Sequence, residues 1–288
     1  DQASLGMAAG IYLLGGINDD ICVDTDHFDN SVIVHEYGHF LENKYAYTDS
    51  PGGSHSGNSV IDPRLAWSEG WANFVQSAVR NNDHYYDTEG NADCATGTGL
   101  NINLDLETPQ VGQDKMSVAT YLGEGIFREV SVSRVLWDAM GSSTGGDGYG
   151  AGLGFPYMWK TFSDTSSGLR SSSAHFRNVG LFNQYLRSYV STNNNSALTD
   201  FDNLITNEHQ RSDANEYGRV VTAQVGGSCT YAIQGVSGVS NLAKTNDFLA
   251  YYYDGTAANS SISLKYSATT GGQTPTDLDL YIWQDGYS

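Results

Sequence analysis

The sequence predicts an α+β fold for residues 1–212, followed by an all-β segment over residues 213–288. Two patterns in the 288-residue chain support this division. Up to about Ser212, apolar side chains recur at helical spacing in stretches separated by loops rich in glycine and serine. After that point the pattern becomes the alternation of a half-buried strand, as in residues 277–283. We therefore predict two domains, of which the second is an incomplete β-sandwich.

Helices and one short strand make up the first predicted domain. Residues 10–15 lie between glycines and are predicted to be a buried strand. The predicted helices cover residues 31–45, 63–80, 123–140, 172–190 and 196–209. Pro63 begins the second helix, where its missing N–H costs nothing. Residues 81–113 are polar, and we predict an irregular surface excursion there.

Charge and composition exclude several functions. The chain has 14 Lys and Arg against 33 Asp and Glu, a net charge of −19. Nucleic acids and anionic membranes recruit Lys and Arg, so neither is an expected partner. No apolar run reaches the length of about 18 residues that a membrane helix needs. Cys22, Cys94 and Cys229 are too far apart in sequence for a disulfide framework or a zinc knuckle. The acidic, loop-rich composition favours a secreted, extracellular bacterial protein.

The segment His35-Glu36-Tyr37-Gly38-His39 is the strongest functional signal. Histidines at i and i+4 lie on one helix face about 6 Å apart, which suits two imidazoles on one tetrahedral zinc. Glu36 is one residue further round the helix, where it can take a proton from a zinc-bound water. The alternative is an ordinary helix with two surface histidines. We favour the zinc site because the predicted apolar face of this helix lies elsewhere, at Ile33, Tyr37, Phe40 and Leu41.

Glu69 on the second helix is the candidate third ligand. The predicted buried face of that helix consists of Trp67, Trp71, Phe74 and Ala78. Glu69 is not on it, so packing does not explain this residue. Two histidines and one carboxylate leave the fourth zinc position open for water, as hydrolysis requires. The alternative is a surface glutamate near the start of a helix, where the helix dipole favours an acid.

HEYGH followed by the helical segment WSEGWANF (residues 67–74) resembles the zincin metallopeptidases, specifically their gluzincin branch. The resemblance implies a two-lobed zincin catalytic domain, with a small sheet and active-site helix above a helical lower lobe. It implies zinc ligands His35, His39 and Glu69, with Glu36 as general base and acid. In that branch the residue four after the glutamate ligand is often an Asp that orients a histidine. This chain has Asn73, whose amide oxygen can still accept a hydrogen bond but carries no charge.

The resemblance also indicates how a substrate would bind. A strand at residues 11–14 beside the active-site helix would pair an extended peptide through its backbone, although a plain core strand is an equal alternative. Hydrolysis also needs a donor that stabilises the oxyanion. The sequence leaves this donor open among His55, Tyr121, Arg128, Arg134 and His175.

Asp24, Asp26 and Asp29 form an acidic cluster before the predicted zinc helix. Their carboxylates could bind Ca²⁺, a hard cation that prefers oxygen ligands. The cluster lacks the glycine and terminal glutamate of a helix–loop–helix calcium loop. The alternative is an acidic loop that stabilises the N-terminus of the helix through its dipole.

Residues 213–288 resemble the start of a bacterial pre-peptidase C-terminal domain. The resemblance depends on YYYDG (residues 251–255) and DLDLYIW (residues 277–283). The alternative is an adhesive or carbohydrate-binding sandwich, in which Tyr281 and Trp283 would stack on a ligand.

Together these observations predict a secreted zinc endopeptidase that acts as a monomer on protein or peptide substrates. One alternative is a zinc aminopeptidase or other exopeptidase on the same site, with Glu124 or Glu129 holding the substrate amine. The other is a non-catalytic extracellular binding module with a structural metal. Glu36 argues against the binding module, because a structural metal site has no use for a base.

Overall fold

A computed structural model defines the fold. The residues it describes are 10–16, 25–48, 50–53, 55, 61–88, 101–107, 125–126, 128–142, 148–171, 174, 177–208, 210, 220–222 and 250–252. The α-helices among them are α1 (Asn30–Tyr45), α2 (Pro63–Arg80), α3 (Glu129–Met140), α4 (Phe155–Ser163), α5 (Val179–Asn193) and α6 (Leu198–Asn207). The strands among them are β1 (His84–Thr88), β2 (Asn101–Asp105), β3 (Val220–Thr222) and β4 (Ala250–Tyr252).

Helix α2 is the centre of the described structure and has the bounds that the sequence predicts. Asp62 caps its start by accepting a hydrogen bond from the Arg64 N–H at 2.9 Å, and Pro63 occupies its first turn. Asn81 ends it in the left-handed conformation, with φ of 50°. Residues 63–77 are all buried, because α2 packs between α1 and α3. Both faces of this helix are therefore interior.

One face of α2 carries the aromatic core. The Trp71 ring stacks on Phe162 of α4 with centroids 3.8 Å apart and planes 8° apart. Trp67 contacts Phe182 of α5 with centroids 5.0 Å apart. Both tryptophans are fully buried, as is Phe74. The predicted aromatic stripe is thus the main hydrophobic contact between α2 and the C-terminal helices.

Two glycines let the neighbouring helices approach α2 closely. A Cβ at Gly38 of α1 would lie 2.8 Å from the Ala72 Cα, and a Cβ at Gly70 would lie 2.4 Å from Val132 Cγ1 of α3. Neither distance is compatible with a side chain unless the helices move apart. The backbones of α1 and α3 therefore contact the same turn of α2 from opposite sides, at Ala72 and at Gly70.

The structure corrects the predicted strand at residues 10–15. Residues 10–16 form no strand, and the apolar side chains from Ile11 to Leu14 are exposed. The Leu14 N–H donates to Asp26 Oδ2 at 2.8 Å instead of pairing with a strand. An apolar run between glycines therefore did not indicate burial here, and the predicted substrate-pairing strand at residues 11–14 is not found.

The inward face of α1 also differs from the predicted one. Its buried residues are Ser31, Val32, His35, Gly38 and Glu42. The predicted apolar stripe is only half-buried, and Tyr37 is 42% exposed. The polar and small residues face α2 because only glycine permits the close approach at Ala72. Steric fit and hydrogen bonding, rather than apolar periodicity, determine the orientation of this helix.

The region after α2 is more ordered than the sequence indicates. Strands β1 and β2 pair antiparallel, with Tyr85 opposite Leu104, and both residues are buried. The predicted irregular excursion over residues 81–113 is therefore wrong for this part. The available signal was the β-favouring composition of β1, which has two tyrosines and a threonine in five residues.

Two helices begin at least six residues later than predicted, and one was missed. Helix α3 begins at Glu129 rather than at residue 123, since Gly125 has a φ of +119°, which is not helical. Helix α5 begins at Val179 because the Asn178 side chain accepts from the backbone N–H groups of Gly180 and Leu181. Helix α4 follows Gly154 directly, in a stretch where no helix was predicted.

Little of residues 213–288 is described. Strands β3 and β4 are parallel, with Val220 opposite Ala250. The alternating segments at residues 261–266 and 277–283 lie outside the described residues. The division into domains at residue 212, the two-lobed arrangement and the β-sandwich therefore stay predictions. Among the described helices, none is both long and apolar enough to cross a lipid bilayer.

Candidate metal centre

The structure brings the three predicted zinc ligands together between α1 and α2. His35 Nε2 lies 3.1 Å from His39 Nε2. Glu69 Oε2 lies 3.3 Å from His35 Nε2 and 3.2 Å from His39 Nε2. Ligands bound at about 2.0–2.1 Å to a tetrahedral zinc are about 3.3–3.4 Å from one another. The donor atoms and their spacing therefore fit one zinc ion.

Burial leaves the centre accessible from one side. The side chains of His35 and Glu69 are 10% and 11% exposed, whereas His39 is 26% exposed. The candidate centre is therefore reachable from solvent on the side of His39.

The protonation states of His39 and Glu69 depend on each other. Burial lowers the pKa of His39, but the charge and hydrogen bond of Glu69 outweigh it, and the pKa is raised to about 9. Burial raises the pKa of Glu69, but the two histidines hold it well below its usual range. These shifts favour an imidazolium–carboxylate pair, so a metal that binds here must displace a proton from His39.

Asn73 orients His35 as the resemblance implied. Its Oδ1 accepts a hydrogen bond from His35 Nδ1 at 2.8 Å, and the amide is 3% exposed. The proton on Nδ1 leaves the lone pair of Nε2 directed at the metal position. Asn73 lies one helical turn after Glu69, so α2 supplies both a ligand and the group that orients a ligand of α1.

Two residues that the sequence reasoning missed orient His39. Ser68 Oγ lies 3.3 Å from His39 Nδ1 and donates to Glu42 Oε2 at 2.6 Å. Glu42 is 1% exposed, on the inward face of α1. The available signal was position, since Ser68 precedes Glu69 and Glu42 is three residues after His39. The predicted apolar face of α1 had placed Glu42 outside the packed surface.

His55 and Glu129 complete the centre from outside α1 and α2. His55 Nδ1 lies 2.8 Å from Glu129 Oε2, and His55 Nε2 lies 3.5 Å from Glu69 Oε1. The hydrogen bond to Glu129 raises the pKa of His55 despite its partial burial. His55 was one of five candidate oxyanion donors, and it is the one among the described candidates whose side chain contacts a predicted ligand.

The remaining oxyanion candidates lie elsewhere or outside the described residues. Arg134 is fully buried and pairs with Glu208 at 2.8 Å. Arg128 is buried at the start of α3. Tyr121 and His175 lie outside the described residues.

The general base predicted from sequence is half-buried on α1 beside the ligands. The negative charge of Glu36 is one of the lesser causes of the raised pKa of His39. The Tyr85 ring of β1 contacts His35 with centroids 5.6 Å apart, and burial raises the pKa of its hydroxyl, which stays neutral.

The predicted calcium cluster is engaged in hydrogen bonds. Asp26 Oδ2 accepts from Leu14 N–H. Asp29 accepts from Thr88 N–H at 2.8 Å and from Thr88 Oγ1 at 3.0 Å, which connects β1 to the start of α1. Asp24 lies outside the described residues. The described carboxylates thus stabilise loops, and calcium binding there stays a prediction.

A second group of ligand-type side chains lies at the β1–β2 hairpin. Asp83, His84 and Asp105 have donor atoms within 4.8 Å of one another. His84 Nδ1 also contacts Asn103 Oδ1 at 2.8 Å. Asp105 accepts a hydrogen bond from the Glu107 N–H and thereby stabilises the chain just after β2.

Comparison with known proteins supports a relationship to metallopeptidases. Residues 6–147, just under half of the chain, match the family described as the Mycolysin C-terminal domain. The matched segment contains all three candidate ligands and Glu36. The match supports a metallopeptidase-related protein.

One relative of uncharacterized function also matches part of the chain. An uncharacterized protein of Archaeoglobus fulgidus is 31% identical over 131 residues, which are 44% of this chain. The match spans only 32% of the length of that protein. No solved structure matches the chain.

Proposed function

We propose that this protein is a secreted zinc endopeptidase. The observation that carries the proposal is the convergence of His35 Nε2, His39 Nε2 and Glu69 Oε2 at 3.1–3.3 Å from one another. The match to the Mycolysin C-terminal domain supports the peptidase class. The acidic composition favours secretion, which is part of the proposal.

His35, His39 and Glu69 would hold the metal, with Asn73 and Ser68 fixing the two imidazoles. A zinc ion held there would supply a Lewis acid for the scissile carbonyl and for a water, whose pKa it would lower toward about 7.

Glu36 carries the proton during the reaction. One of its carboxylate oxygens accepts a proton as the oxygen of the attacking water bonds to the carbonyl carbon. Glu36 then donates that proton to the nitrogen of the leaving amine as the C–N bond breaks. The carboxylate is restored in each turnover, so no other acid is required.

The position of Glu129 favours the endopeptidase over the exopeptidase. An exopeptidase needs a carboxylate free to bind the substrate amine, and Glu129 was one candidate. Its Oε2 instead contacts His55 Nδ1 at 2.8 Å, and its side chain is 6% exposed. The other candidate, Glu124, lies outside the described residues.

Glu36→Gln tests the proposal. We expect the variant to retain about one zinc per chain but to cleave casein about 10²–10⁴-fold more slowly, because the amide cannot accept the proton. Zinc content by elemental analysis and cleavage of an internally quenched peptide with blocked ends are the measurements. Cleavage only of peptides with a free amine would favour the exopeptidase. Zinc binding by wild type with no cleavage of any peptide would favour the binding module.

A further inference from the structure

The geometry points to a positioning role for His55 and Glu129, which together hold the second oxygen of Glu69. In this inference His55 binds Glu69 Oε1, Glu129 anchors His55, and Glu69 Oε2 is left to face the two ligand histidines. The inference rests on the zinc centre of the proposed function and adds residues that act through a ligand.

The two oxygens of Glu69 have different partners. Oε2 lies 3.2–3.3 Å from the Nε2 atoms of His35 and His39. Oε1 lies 3.5 Å from His55 Nε2. A carboxylate held in this way presents one oxygen to a metal instead of swinging freely between one-oxygen and two-oxygen binding. Outer partners of this kind commonly determine the orientation of a metal ligand.

His55 needs an anchor because it lies on a loop. Two residues before it, Gly53 has a φ of +121°, and the imidazole is 34% exposed. Glu129 supplies the anchor through the 2.8 Å contact with His55 Nδ1. Glu129 is itself 5% exposed, in the first turn of α3.

The packing of α3 on α2 holds Glu129 in place. A Cβ at Gly70 would lie 2.9 Å from the Glu129 carbonyl oxygen, so the first turn of α3 is pressed against the residue after Glu69. Ser133 Oγ donates to the same carbonyl at 2.6 Å. The contact of α2 with α3 is thereby linked to the orientation of a metal ligand on α2.

Zinc affinity, measured by competition with a chelator in the absence of substrate, tests the inference. We expect His55→Ala and Glu129→Ala each to weaken zinc binding about 10–100-fold. Because the two residues act as one unit, the double variant should bind zinc within about threefold of the weaker single variant. Glu129→Gln, whose amide oxygen can still accept from His55, should recover most of the affinity. His27→Ala changes an exposed histidine in the single 3₁₀ turn before α1 and is the matched control, expected to bind zinc like wild type.

Several outcomes would overturn the inference. Zinc affinity within threefold of wild type in both alanine variants would do so, as would independent losses that multiply in the double variant. Melting of the metal-free variants shows whether they fold, and His55→Gln replaces His55→Ala if the latter does not. If wild type cleaves peptides while both variants keep full zinc affinity, the positioning role fails and the proposed function stands. If the variants lose affinity as expected but wild type cleaves nothing, the proposed function fails instead.

Discussion

The two faces of α2 are both buried, but they make different kinds of contact with their neighbours. One face carries Trp67 and Trp71 against rings of α4 and α5, and its contribution is the removal of apolar surface from water. The other carries Glu69 and Asn73 against α1, where each polar group has a specific partner. The aromatic face therefore provides stability, and the polar face provides the metal centre.

Trp71→Ala should give the largest effect and act on stability alone. Removing a fully buried ring stacked on Phe162 leaves a cavity and should lower the free energy of unfolding by about 3–5 kcal/mol. Urea unfolding of the metal-free protein measures this change. The zinc affinity of the folded fraction should remain close to that of wild type. A large loss of zinc affinity in that fraction would show that the two faces are not separable.

Gly70→Ala should disturb both faces, because the added methyl group pushes α3 away from α2. Its Cβ would lie 2.4 Å from Val132 Cγ1, and overpacking of this kind costs about 1–3 kcal/mol. Since Glu129 begins α3, zinc binding should weaken as well.

A second substitution and a control sharpen this test. Val132→Ala in the Gly70→Ala background removes the methyl that clashes most, but the Cβ of residue 132 remains at 2.6 Å, so it should restore only a part of the stability. Gly15→Ala, where a Cβ has no atom of the described residues within 4 Å, should leave both stability and zinc affinity unchanged. Unfolding and chelator competition are the measurements, and full stability in Gly70→Ala would contradict the close packing.

Asn73→Leu should mainly weaken zinc binding. The leucine leaves His35 Nδ1 without its acceptor, and we expect zinc affinity to fall about 10–100-fold. Asn73→Asp keeps an oxygen at the same place and should bind zinc at least as tightly as wild type. Chelator competition measures both variants. If the leucine variant binds zinc as tightly as the aspartate variant, the hydrogen bond does not orient His35.

The pH dependence of zinc affinity should come from the groups that meet at the polar face of α2, above all His39 of α1. Zinc binds neutral imidazole, and His39 in the metal-free protein has a pKa of about 9. Zinc affinity should therefore rise about tenfold per pH unit between about pH 7 and 9, as one proton is released on binding.

The stability of the metal-free protein should change in the opposite direction. The pKa of His39 is raised above its usual 6.5, so its contribution is complete below that pH and is lost as the pH rises through about 9. Thermal melting with and without chelator measures this trend. A zinc affinity that does not change between pH 7 and 9 would contradict the imidazolium–carboxylate pair.

The local parts of the site could be predicted from sequence. His35, Glu36 and His39 share one helix, and their relative positions follow from 3.6 residues per turn alone. The bounds of α2 were predicted too, because Pro63 and the aromatic spacing are local signals. The ligand geometry within each helix needs no knowledge of the other helices.

The contact of His55 with Glu129 beside the predicted ligands could not be predicted. Nothing near His55 in sequence indicates Glu129, which is 74 residues away. The inward face of α1 was predicted wrongly, since apolar periodicity pointed to Tyr37 whereas Gly38 and Glu42 face α2. The strand predicted at residues 10–15 failed for the same reason, because burial depends on what packs against a segment.

The sequence alone indicates which groups are available, namely two imidazoles and a carboxylate at helical spacing on one helix and a second carboxylate on the next. How these groups meet depends on the packing of the helices, through the close approach of α1 at Gly38 and of α3 at Gly70. Spacing along one helix is set by its own hydrogen bonds. Spacing between helices is instead set by which side chains are small enough to let the backbones touch.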